Sequence, residues 1–109
     1  MIRDDKIYVQ DIIDSIEIIF QYIGDKTEYE FNQSLLLQDA VFRRFEIIGE
    51  ASTKVSENFK QNHQDIEWKL MKLMRNKLIH EYFGISTSTI YHTIHSDLPI
   101  LIEKLKKIL

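Results

Sequence analysis

Apolar residues recur at helical spacing along most of the chain. Ile12, Ile13, Ile16, Ile19, Phe20 and Ile23 mark one face of a first helix, which the pattern places over residues 5–23. Asp4 or Asp5 offers a capping carboxylate at its start, and Gly24 ends it. Thr27 to Ser34 reads as a connector with a short turn of helix around Tyr29 and Phe31. A second long helix is expected from Ser34 to Asn62. There Leu37, Val41, Phe45, Ile48, Ser52, Val55 and Phe59 alternate steps of four and three, which is a heptad seam. Gly49 sits beside that seam, and a glycine inside a helix costs about 1 kcal/mol. Close approach of another helix would explain it.

After a connector over Gln61–Asp65, Asp65 is placed to cap a third helix whose start Trp68 anchors in the core. Gly84 ends that helix. Ser86 or Thr87 then caps a final segment whose stripe is Ile90, Ile94, Leu98, Leu101, Leu105 and Ile108. Pro99 cannot donate a backbone hydrogen bond, so this segment must kink near Pro99 or restart with Ser96 or Asp97 as its cap; a kink is the favoured form. The pattern therefore predicts an all-α fold, an antiparallel bundle of four long helices with short accessory turns.

Composition agrees. In 109 residues there are three glycines and one proline, few enough for long helices with short connections. The length suits a single domain spanning 1–109. The absence of cysteine excludes a disulfide framework and a thiolate metal site. No apolar run is long enough to span a membrane, and Arg3-Asp4-Asp5-Lys6 lacks the form of a signal peptide, so the cytoplasm is the default compartment. The net charge of −3 does not advertise a nucleic-acid binder. Its distribution is uneven: residues 1–34 hold eight acids and three bases, a balance of −5, and residues 35–82 hold seven acids and eight bases, a balance of +1. Lys69, Lys72, Arg75 and Lys77 crowd one helix, and a local positive cleft does not need a basic protein.

That third helix carries the candidate chemistry. On a wheel at about 100° per residue with Arg75 at zero, Leu70, Met71, Met74, Leu78 and Tyr82 fall on an arc of roughly 220–340°, the expected buried stripe. Lys69, Lys72, Arg75, Asn76 and His80 share the opposite arc, roughly 0–140°, with Ile79 among them. Asn76 and His80 are four apart and can touch. Tyr82 lies at the boundary, where its ring can pack while its hydroxyl reaches the polar face. A guanidinium fork matches phosphate oxygens, and an imidazole exchanges a proton near neutral pH. The plain alternative is a solvated helix face with structural ion pairs. Glu46 and Glu50 are both candidates to meet and orient Arg75, and Arg43 and Arg44 are candidates for RNA contact or for surface salt bridges. Asp11, Asp14 and Glu17 read as a solvated acidic face, and His92 and His95 lack an identified third ligand, so no metal site is expected.

The run Arg75-Asn76-Lys77-Leu78-Ile79-His80-Glu81-Tyr82 has the form R-N-x-x-x-H-x-Y. It resembles the signature of HEPN domains, specifically the HepT-type toxins paired with minimal nucleotidyltransferase (MNT) antitoxins. Asp39–Ala51 resembles that family's first long core helix, Met74–Gly84 its motif helix, and Asp97-Leu98-Pro99 its last helix, so the likeness runs from about Gln38 to the end. The resemblance implies a toxin that is a metal-independent endoribonuclease needing no cofactor. It implies a homodimer whose motif helices face each other, so that both protomers supply Arg75 and His80 to one cleft. RNA is then expected to be cut by transesterification. His80 acts as the acid and base, Arg75 stabilises the phosphate, and Asn76, Lys72 and Tyr82 support catalysis or hold RNA. The resemblance further implies that an MNT antitoxin silences the toxin by attaching AMP to Tyr82. A reading of a different class is a non-catalytic HEPN module that holds a nucleotide or its partner.

Overall fold

The computed structural model describes residues 4–80 and 86–109, with the side chains of 77–80 excepted. The described residues form seven helices: α1 (Asp5–Ile23), α2 (Glu28–Gln33), α3 (Leu35–Lys54), α4 (Glu57–Gln61), α5 (Trp68–His80), α6 (Thr87–Ser96) and α7 (Leu98–Lys107). Four long rods, α1, α3, α5 and the α6–α7 pair, make the expected all-α bundle, and α2 and α4 are the accessory turns.

The first helix forms as its pattern predicts. Asp4 caps it by accepting from the Lys6 N–H at 2.8 Å. Val9, Ile12, Ile16 and Ile19 are fully buried. Gly24 ends it with a φ of 52°, which a side chain would resist, and its N–H donates to the Phe20 carbonyl. The connector then holds a short helix, where Thr27 and Glu30 form a reciprocal capping box. The backbone N–H of Thr27, then its hydroxyl, stabilise the Glu30 carboxylate and lower its pKa below 4.5. Phe31, fully buried, ties this short helix to the core, while Tyr29 is exposed.

The expected second helix is divided. Leu35–Lys54 forms one helix, the backbone turns extended at Val55, and Ser56 starts α4 as its cap. The break has a long-range cause. The Asp5 carboxylate at the start of α1 accepts from the Ser56 N–H at 2.8 Å and from its hydroxyl at 2.7 Å. The same hydroxyl accepts from the Phe59 N–H. These bonds satisfy backbone donors that a continuous helix would have bonded internally. They also fix α1 and α3 as antiparallel neighbours, with the start of one at the end of the other. The heptad seam itself is real: Val41, Phe45, Ile48, Ser52 and Val55 are buried.

The last rod is interrupted at one residue. Asp97 keeps right-handed angles, φ −96° and ψ −42°, yet α6 ends before it and α7 begins after it with Pro99 in its first turn. The missing proline N–H falls where a helix start needs no donor, so the expected kink becomes a near-continuous restart. Lys104 on α7 donates to the Asp65 carbonyl, and Lys106 pairs with Glu17 of α1 at 3.3 Å, which closes the bundle. Among the described residues, no helix is long and apolar enough to cross a membrane.

Candidate functional site

The site begins where α5 crosses α3. Trp68 and Met71 are buried, and the Trp68 indole N–H donates to the His63 carbonyl. The helix starts at Trp68, so the capping position falls on Glu67 rather than on Asp65. One turn beyond Met71, Arg75 lies against Gly49 of α3. A Cβ built on Gly49 would overlap the Arg75 Cβ and come within 2.9 Å of its Cγ and 3.0 Å of its Cδ. The glycine thus leaves a groove in α3 that the aliphatic stem of the arginine fills. The stem delivers the guanidinium to the next residue: Arg75 Nη2 lies 3.2 Å from Glu50 Oε2. Of the two acids open from the sequence, Glu50 is the one that meets Arg75.

This arrangement corrects the expected wheel. Met71 is buried and Met74 packs against the core, as the stripe predicts, and the side chains of Leu78 and Tyr82 lie outside the described residues; but Arg75, expected on the polar arc, is half-buried at the crossing. Leu70, expected in the core, is 43% exposed, and Leu73 beside it is 55% exposed. The physical reason is Gly49. It lets a long, partly apolar side chain pack at the helix crossing, with its charged head at the edge. Lys69 and Lys72 are exposed, and Asn76 is half-buried.

The Arg75 head enters a cleft of about 390 Å³. α1 contributes Tyr8 and Asp11, α3 contributes Arg43, Glu46, Glu50 and Lys54, and α5 contributes Arg75. Three cations and three carboxylates therefore line one concavity, so the cleft is polar without being strongly basic. Arg43 belongs to it. Arg44 does not line it, and the Arg44 Nε is buried with no hydrogen-bond partner among the described residues. Tyr8 and Lys54 carried no signal in the local sequence. Tyr8 reaches the site because α1 packs beside α3, whereas Lys54 follows Glu50 by one turn of the same helix.

Of the remaining candidates, His80 closes α5 by its backbone, but its side chain lies outside the described residues, and so does Tyr82. His92 and His95 take different partners. His92 Nε2 lies 3.4 Å from Glu28 Oε1, while His95 stacks on Tyr91 at 4.2 Å and places Nδ1 2.9 Å from the Tyr91 carbonyl. Asp14 accepts from Gln10, and Glu17 pairs with Lys106. Among the described residues no group of three or more potential ligands gathers around one point.

A helical bundle with an arginine seated at a polar cleft, on the helix that carries Arg75, Asn76 and His80, defines a class of domain rather than a reaction. The family model described as "Ribonuclease HepT-like" matches residues 12–108, and the chain belongs to that family. A Methanocaldococcus jannaschii protein named "Gamma-glutamylcyclotransferase and putative RNase" is 43% identical over 109 residues, all of this chain. The chain spans about half of that relative, 49% of its length. A Thermococcus cleftensis protein named "Probable ribonuclease HepT" is 39% identical over 108 residues, which are 99% of this chain and 98% of that one. No solved structure matches the chain.

Proposed function

We propose that this protein is the toxin of a HEPN/MNT pair, an endoribonuclease that cuts RNA without a metal ion. The observation that carries this reading is the seating of Arg75, in a member of the HepT-like ribonuclease family, with its stem against Gly49 and its head in a polar cleft. A guanidinium presented in this way suits a phosphate, because its planar fork offers several donors in fixed geometry.

The reaction is internal transesterification. The ribose 2′-oxygen attacks the adjacent phosphorus, and His80 of one protomer accepts the hydroxyl proton. The bond from phosphorus to the 5′-oxygen breaks, and His80 of the second protomer returns a proton to that oxygen. The products are a 2′,3′-cyclic phosphate and a 5′-hydroxyl. Arg75 stabilises the extra negative charge on the five-coordinate phosphorus. Asn76 holds His80 or the phosphate, and Lys72, exposed one turn before Asn76, attracts the RNA backbone.

Two proton-transfer groups are needed and each α5 has one His80, so a homodimer completes the site. Leu70 of α5 and Ile100 of α7 are exposed and line one groove, and Leu73 is exposed on α5, so apolar side chains are available to a second copy. The MNT partner would act on Tyr82, and the added AMP would bring bulk and negative charge that oppose RNA. The test is incubation of the purified protein with end-labelled RNA in EDTA. Cleavage that leaves a 2′,3′-cyclic phosphate supports the reading. Binding without cleavage, or cleavage only with magnesium, overturns it.

A further inference from the structure

We infer that Glu50 is a positioning residue for Arg75, aiming the guanidinium across the cleft and competing with RNA phosphate for it. This rests on the ribonuclease reading above and adds a residue to it. Three observations converge. Gly49 fixes the arginine stem, since its missing side chain makes the groove in which the Arg75 methylenes lie. Glu50, the very next residue, engages the head at 3.2 Å. Both face the same cleft, which opens between α1 and α3. Two adjacent residues of α3 therefore set both halves of one long side chain on α5.

The contact leaves the arginine usable. A guanidinium has five N–H donors, and the pair joins Glu50 to Nη2 through one carboxylate oxygen. Other donors remain for a phosphate. The Glu50 side chain is 53% exposed and that of Arg75 is 27% exposed, so the carboxylate is held at the mouth of the cleft and not in the core. Its two effects on catalysis are opposed. Orientation saves the arginine a search among rotamers in the transition state, which raises kcat. A negative charge at the same guanidinium weakens the pull on the incoming phosphate, which raises KM.

Two substitutions separate these effects. Glu50→Gln keeps an oxygen acceptor of the same reach and removes the charge. Glu50→Ala removes both. In steady-state cleavage of labelled RNA, Glu50→Gln should lower KM by about threefold or more while kcat stays within about threefold. Glu50→Ala should lower kcat by about 10- to 100-fold without raising KM. The 15N-edited NMR spectrum of the Arg75 Nε–H group gives a readout that needs no cleavage: its signal should keep its position in Glu50→Gln and move toward that of a free arginine in Glu50→Ala. Wild-type constants in both variants, or the same change in both, would overturn the role. Should Glu50→Ala fail to fold, the KM of Glu50→Gln decides alone. A wild-type chain that cuts no RNA overturns the ribonuclease reading and this role with it, whereas wild-type cleavage with unchanged variants overturns only the role.

Discussion

Arg75 occupies the volume that a side chain on Gly49 would need. The near atoms are Cβ, Cγ and Cδ, and the Cβ cannot swing away as the far end of the side chain could. In an exposed helix, replacing glycine by alanine gains about 1 kcal/mol in propensity. Here the added methyl must push α3 and α5 apart, and overpacking of this kind costs about 1–3 kcal/mol. Gly49→Ala should therefore unfold at lower urea than the wild type. A variant as stable as the wild type or more so would contradict the described crossing.

The exposed face of α5 has a consequence for assembly. Leu73 is exposed on α5, so Leu73→Glu should leave the monomer's stability within about 0.5 kcal/mol. If a second copy covers that surface, the same change should convert a dimer to a monomer by light scattering and abolish RNA cleavage. A wild type that is strictly monomeric at cleaving concentrations would contradict the shared site.

Much of the fold is legible in the sequence because α1 and the last rod are governed by local apolar spacing and local caps. The division of the expected Ser34–Asn62 helix is not, since Asp5, 51 residues away, supplies the acceptors that stop it at Ser56. The orientation of α5 is only partly legible. Its apolar residues point toward Leu70, yet the groove at Gly49 turns Arg75 inward. Gly49 itself gives a usable signal, a helix-interior glycine without turn neighbours. Choosing Glu50 over Glu46 requires the crossing geometry. Arg75, Asn76 and Lys72 are found on α5, while Tyr8 joins the cleft through tertiary packing that no spacing reveals.

Acid should loosen the connector. The Glu30 carboxylate is held below its ordinary pKa by the Thr27 N–H and hydroxyl. A depressed carboxylate contributes stability above its unfolded pKa, and that contribution is lost as pH falls through the folded pKa. Below about pH 4.5 the capping box should therefore weaken, and Glu30→Gln should flatten this part of the stability–pH curve. Identical curves for the two proteins would contradict the assignment.

Regulation makes a residue-specific prediction. Co-expression with an MNT-type nucleotidyltransferase should raise the intact mass by one or more AMP units, placed on Tyr82, with RNA cleavage falling in step. Tyr91 is a poor competitor, because its hydroxyl already donates to the Lys26 carbonyl at 2.9 Å and its ring stacks on His95. Tyr82→Phe should stay unmodified, and whatever cleavage it retains should not fall on co-expression. Modification mapped to Tyr91, or a modified protein with full activity, would contradict the proposal.

The most direct test of the central claim compares wild type, Arg75→Ala and His80→Ala on one labelled RNA in EDTA, with circular dichroism of each protein. The account predicts wild-type cleavage ending in a 2′,3′-cyclic phosphate, a loss of at least about 100-fold in each variant, and unchanged helix content in all three. Cleavage at the wild-type rate by either variant would contradict it.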